Sequence, residues 1–114
     1  MYRQDYADIV ADDHIDARRR EFDAVNHVVT LLERAAQSSA RGRQYTEALD
    51  GLDALWTVFL DDLAKDDNAL PTDVRARLIS IGLWMFRRTC ALRIGGGDLS
   101  SLIEINSIVR DSLR

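Results

Sequence analysis

The sequence predicts an all-α fold, a four-helix bundle-like single domain with a short N-terminal arm. Three observations predict it. Four stretches repeat apolar residues at spacings of three and four, the period of an α-helix. Loop chemistry separates them: SSARGRQ around Gly42, KDDNALPT before and through Pro71, and the run Gly95-Gly96-Gly97. No stretch alternates at the period of a strand, and no internal repeat or low-complexity tract interrupts the pattern. The 114 residues are the size of one domain, and 46% hydrophobic content is enough for a core without staples.

The arm is expected at residues 1–12, where Tyr2, Tyr6, Ile9 and Val10 share one helical face. Asp12, Asp13 and His14 read as a polar break after it. Helix one is expected at about 15–39, N-capped by Asp13 or Asp16. Its stripe is Phe22, Val25, Val29, Leu32 and Ala36, widened by Val28 and Ala35. Helix two is expected at about 46–66, with Ala48, Leu49, Leu52, Leu55, Trp56, Phe59, Leu60 and Leu63 on its apolar side.

Helix three is expected at about 71–94, starting at Pro71, whose missing N–H is not needed at a helix start. It carries two apolar stripes: Val74, Leu78, Ile81, Met85 and Leu92; and Ile79, Leu83, Phe86, Cys90 and Ile94. A surface helix needs only one. Helix three is therefore expected at the centre of the bundle, with Leu78, Ile79, Ile81, Leu83, Met85 and Phe86 buried. Gly82 lies between the stripes; it costs about 1 kcal/mol of helix propensity relative to Ala, so it marks a close approach. Glycines 95–97 stop the helix. Helix four is expected at about 99–113, capped by Asp98, with a Ser101/Glu104 capping-box spacing. Asn106 sits within its stripe of Leu99, Leu102, Val109 and Leu113. A polar amide in an apolar seam specifies packing register.

Charge is unevenly placed. Residues 45–70 carry one Lys against seven acids, and residues 71–94 carry five Arg against Asp73, so helices two and three either pair electrostatically inside the bundle or present two solvated faces. The net charge of −4 argues against a nucleic-acid binder. One cysteine excludes an internal disulfide, and Cys90 on an apolar stripe reads as packing. The N-terminus has acids where a signal peptide needs a basic and then an apolar run. The charge-free run from Leu78 to Phe86 is far shorter than the ~20 residues that span a bilayer. These features predict a soluble cytoplasmic domain with no membrane contact.

Catalytic and metal constellations are missing from the pattern. His14 and His27 fall in a break and on a polar face, and there is no C-x-x-C, H-E-x-x-H or Glu-x-x-His pair. The triple glycine lacks the Lys-Ser/Thr of a phosphate loop. The expectation is a non-enzymatic binding protein with no metal and no cofactor.

Several elements, taken together, resemble one family. They are Glu47-Ala48-Leu49, Leu55-Trp56, Asp62-Leu63, Asn68-Ala69-Leu70-Pro71, Arg75-Ala76, Ile79-Ser80, Leu83-Trp84 and Leu102-Ile103-Glu104-Ile105-Asn106. In order and separation they are similar to FlaF, the flagellar biosynthesis regulators of alphaproteobacteria. Tyr6 resembles an early tyrosine of that family. Leu52, where the family often has a polar residue, and the ending SIVRDSLR depart from its pattern. The resemblance implies a role in flagellin synthesis and export, opposite FlbT, a regulator of flagellin mRNA. Its physical form would be a chaperone that holds an amphipathic terminal segment of flagellin in an apolar groove. The alternative is a post-transcriptional regulator of flagellin mRNA, acting directly or through FlbT, which would use Arg18–Arg20 and the arginines of helix three.

The candidate partner-binding residues are Trp84, Arg87, Arg88, Arg77, Tyr6, Tyr2 and Trp56. Trp84 falls on the polar side of helix three among Arg77, Ser80, Arg87 and Arg88. It has two readings: a core residue covered by helix one or by the arm, or a partly accessible anchor of the kind enriched in binding hot spots.

Overall fold

The apolar periods become four α-helices. The computed structural model describes the backbone of residues 2–38 and 42–114, and the side chains of 15–38 and 42–114. The helices are α1 (Tyr2–Gln37), α2 (Arg43–Leu63), α3 (Thr72–Gly95) and α4 (Ser100–Ser112), with no strand among the described residues. α1 packs on α2 and α4, and α2 packs on α3.

α1 corrects the break. It is one continuous helix from Tyr2, through Asp12, Asp13 and His14. Polar residues alone do not end a helix; each costs a few tenths of a kcal/mol in propensity, and no Gly or Pro intervenes. The helix spans 36 residues, and the molecule measures 59 × 26 × 18 Å. α2 has 21 residues, about 32 Å, so the early part of α1 runs beyond the other helices. Among the described side chains of α1, Val25, Val28, Val29, Leu32 and Ala35 are buried, whereas Ala36 is exposed.

α2 supplies the largest share of the core: Tyr45, Ala48, Leu49, Leu52, Leu55, Trp56 and Leu63 are buried. Its C-terminal carbonyls are capped from α3. Arg75 donates from Nε and Nη2 to the Leu63 carbonyl at 3.0 and 2.7 Å, and from Nη2 to Lys65 at 3.1 Å. Those are the acceptors that a helix end leaves open.

The centre of the bundle is α1 with α2, not α3, which corrects the expectation drawn from two stripes. α3 buries one seam: Gly82, Met85, Thr89 and Leu92. Of the six residues expected inside, Met85 is buried, Leu78, Ile79, Ile81 and Phe86 are half-buried, and Leu83 is 45% exposed. α2 covers one flank of the helix; in the second stripe Phe86 packs on the core and Ile79 is half-buried, whereas Leu83, Cys90 and Ile94 are exposed. Gly82 does mark a close approach: a Cβ there would lie 2.8 Å from Leu60 Cδ2 on α2.

Asn106 is buried with every donor and acceptor used. Its Oδ1 accepts Trp56 Nε1–H at 2.9 Å; Nδ2 donates to Leu102 O at 2.7 Å and to Met85 Sδ at 3.6 Å. One amide thus joins α2, α3 and α4. Trp56 also meets the Phe59 ring edge-on at 5.5 Å. Among the described residues no buried side-chain N or O lacks a partner.

Local closures differ in detail from the sequence pattern. Asp98 precedes α4 rather than capping it directly: its carboxylate accepts the Ser100 N–H at 3.0 Å and the Ser100 hydroxyl at 2.6 Å. Gly96 and Gly97, with φ of 71° and 141°, turn the chain between α3 and α4 in a region that side chains avoid. Tyr45 Oη lies 3.5 Å from both Leu92 O and Gly97 O, which ties the start of α2 to that turn.

Replacing Asn106 by Leu strands the buried Trp56 N–H. Asn106→Leu is expected to lower stability in urea unfolding by about 1–3 kcal/mol, the cost of an orphaned buried donor. Leu83→Ala, by contrast, is expected to cost less than about 1 kcal/mol in the same measurement, because half of that side chain is already in water.

Candidate functional site

α3 is held from one side, and this determines what it displays. Its α2-facing flank is fixed by three contacts. Gly82 approaches Leu60. The Thr89 hydroxyl lies 2.8 Å from Asp53 Oδ1. Arg93 Nη2 bridges Asp50 Oδ1 at 2.8 Å and Asp53 Oδ2 at 2.9 Å. The hydrogen bond to Asp53 is the main cause that raises the Arg93 pKa above its ordinary value, and Asp50 adds to it. The electrostatic pairing of the acidic and basic helices is thus concentrated in one arginine.

The other arginines of α3 are placed differently. Arg75 serves the end of α2. Arg77 and Arg87 are exposed and form no ion pair among the described residues. Arg88 is half-buried, and its charge contributes to holding the Asp98 carboxyl below its ordinary range. The larger causes of that shift are the Ser100 hydroxyl and the Ser100 N–H.

Trp84 is 37% exposed, among Arg77, Ser80, Arg87 and Arg88 on the helical wheel. At about 100° per residue it lies beyond Ile81 and Arg88, on the Met85 side and away from α2. α4 stands on that side through the Asn106–Met85 contact. Ile108 of α4, 63% exposed, lies about 160° around that helix from Asn106 and so faces away from Trp84. α1 packs chiefly on α2 and α4.

Trp56 is corrected: it is 1% exposed, bonded to Asn106, and presents no surface to a partner. Its position in the stripe of α2 with Leu49, Leu52 and Leu63 already marks it as core. The Tyr2 and Tyr6 side chains lie outside the described residues. Tyr45 and Thr89 were not anticipated as buried polar groups, although each falls in phase with its neighbours, Tyr45 with Ala48 and Leu52, Thr89 with Met85 and Leu92.

The candidate site is therefore a partly exposed indole flanked by unpaired guanidinium groups on an outer helix. Such a surface can bury apolar area while offering charge at its rim. A second open feature is a cleft of about 860 Å³ lined by Ile15, Arg18, Arg19, Phe22, Leu113 and Arg114, in which the Arg114 guanidinium sits 5.4 Å from the Phe22 ring centre. Among the described residues no group of His, Cys, Asp or Glu is placed to hold a metal ion. No helix of the described residues is long and apolar enough to cross a membrane.

Comparison with curated proteins gives no match, and comparison with solved structures gives none. The family model described as Flagellar protein FlaF matches residues 2–113. That match takes in all four helices, the buried Trp56–Asn106 pair and the displayed Trp84, so the chain belongs to the FlaF family and has its role in flagellum biogenesis.

Proposed function

We propose that this protein is a cytoplasmic flagellin-binding chaperone and regulator, without catalytic turnover, that serves flagellin synthesis and export. The observation that carries the reading is Trp84: a large aromatic left 37% exposed on a helix held from one side, with Arg77 and Arg87 exposed around it. Tryptophan and arginine are the residues most enriched where binding energy concentrates. The terminal segments of flagellin are amphipathic helices, and a bundle accepts such a helix against an apolar surface with charge at the edge. Covering that stripe holds flagellin soluble until export.

A second reading is favoured by one observation, the exposure of Arg18, Arg19 and Arg20 on α1. In it the protein regulates flagellin mRNA, directly or through FlbT. The two separate by salt. Phosphate contacts release counterions, so RNA binding falls steeply as salt rises, whereas apolar docking changes little.

Titrating purified protein with flagellin, full-length and lacking each terminal segment, tests the chaperone reading. Trp84→Ala is expected to weaken flagellin binding by more than about 1 kcal/mol and to leave the melting temperature nearly unchanged. No affinity for flagellin, together with salt-sensitive binding to its mRNA leader, would replace the chaperone with the regulator.

A further inference from the structure

α3 is covered over part of its circumference and open over the rest. Its buried residues are Gly82, Met85, Thr89 and Leu92. At about 100° per residue those four centre on the side opposite Arg87. The exposed side chains spread over about 140° on the Arg87 side: Cys90 and Leu83 at one edge, Trp84 and Arg77 at the other, with Ser80 and Ala91 between them. Leu83 and Trp84 stand at nearly the same level, 45% and 37% exposed, and Ile94 closes the face at 82%. Ser80 lies about one turn before them and Ala91 about two turns after, so two large side chains border a shallow channel floored by small ones. From Ala76 to Ile94 this channel runs about 27 Å.

The charge around the channel is uneven. Of the five arginines of α3, three are engaged within the chain. Arg75 serves the end of α2, Arg93 bridges Asp50 and Asp53, and the half-buried Arg88 acts on Asp98. Arg77 and Arg87 are exposed and have no ion pair among the described residues; Asp73, in the first turn, does not pair with Arg77. The two free guanidinium groups start about 15 Å apart along the axis, one before Trp84 and one after it. Past the Leu83 edge comes α2, where Asp61 is exposed beside Leu60, the residue that Gly82 meets. The open face is therefore basic toward Trp84 and acidic toward α2.

Building on the flagellin-binding reading, we propose that this whole face, not Trp84 alone, docks a single amphipathic helix of about 18 residues with carboxylates along its Trp84 edge. Its apolar stripe lies on Leu83, Trp84 and Ile94. Three features select that occupant. α3 offers side chains only, because its backbone groups are spent within the helix, and the described residues have no strand edge, so an extended segment finds no backbone to pair with. Small residues between two large ones let a second helix approach to the 8–10 Å of packed helices. Two guanidinium groups about 15 Å apart match carboxylates three turns apart, at i and i+11, on one edge of that helix. Asp61 keeps acids off the other edge by like-charge repulsion.

Calorimetric titration with two synthetic amphipathic peptides of about 18 residues tests this. The peptides share one apolar stripe; one carries Glu at i and i+11, the other Lys at the same places. The Glu peptide is expected to bind, and the Lys peptide at least about tenfold more weakly. Arg87→Glu is expected to invert that order, which a loss of structure does not do. Leu83→Gln is expected to weaken the Glu peptide and flagellin alike, at least about threefold, with circular dichroism unchanged. Binding of neither peptide overturns the proposal, as does equal affinity for both. So does a dimer of the unbound chain that Leu83→Gln dissociates, since a second copy then covers the face. Failure of the two readings is distinguishable. Flagellin that binds and ignores both variants removes this face and leaves the chaperone reading on another surface. Discrimination between the peptides without flagellin binding keeps the helix-docking face and removes flagellin as its occupant.

Discussion

The hydrogen bond from Trp56 to Asn106 is the contact on which the arrangement depends. An indole as large as Trp56 brings an N–H with it, and an N–H in a dry core without an acceptor is costly. Asn106 supplies the acceptor, and its own two amide hydrogens go to Leu102 O and Met85 Sδ. With its oxygen committed to an N–H and its nitrogen to a carbonyl, the amide has one orientation only. Apolar seams alone allow a helix to slide by a turn, because one Leu substitutes for another. This amide does not allow it: a shifted α4 loses the Trp56 acceptor, and a shifted α3 moves the sulfur away.

The rest of the packing follows from that fixed point. With α2 and α4 registered, α1 closes the core through Val25, Val29 and Leu32, each fully buried, and Arg110 Nη1 reaches Asn26 Oδ1 at 3.1 Å to tie α4 to α1. α3 is attached through Met85 and Leu92 in the core and, along its α2 flank, by the glycine approach to Leu60, the Thr89–Asp53 bond, the Arg93 bridge and the Arg75 cap. The same helix carries the exposed tryptophan on its other side.

How much was legible in the sequence divides along the same line. Helix type was legible wherever an apolar period met a Gly or Pro stop, and Asn106 was legible because it interrupts the apolar stripe of α4. The break at Asp12–His14 was not real, because local polarity lacks the steric force of Gly or Pro to end a helix. The location of α3 was misread for a more general reason. A helical wheel reports how many faces are apolar and says nothing about what covers them. Two stripes are equally consistent with a central helix and with an outer helix whose second face is left open. Gly82 decides between them only when its neighbour is known: its nearest approach is to Leu60 of α2. The candidate site was legible as a polar side holding one tryptophan. Its exposure was not, because that depends on which helices pack against one another, and α1 packs chiefly on α2 and α4. Trp56 has the same side-chain chemistry as Trp84 and a contrary fate, decided by the seam each falls in.

The two open edges of α3 have one cause. A chain that needed only stability would place its two-striped helix in the centre, where both stripes bury, and would keep its single-striped helices outside. Here the assignment is reversed. α1 and α2 form the inner pair, and the helix with apolar residues to spare is outermost. The inner pair and α4 make a core that needs one seam of α3 and no more, with Leu32, Leu49, Leu52, Trp56 and Leu102 all within 1% of full burial. Apolar area on the outer face of α3 then costs the fold little. The arginines keep that face in water while it is unoccupied: Arg87 borders Leu83, and Arg77 and Arg88 border Trp84. An outer helix of this construction can lose or gain a neighbour on its open face without disturbing the Trp56–Asn106 lock behind it. For a protein of flagellum biogenesis, that places stability and recognition on different residues of the same short chain.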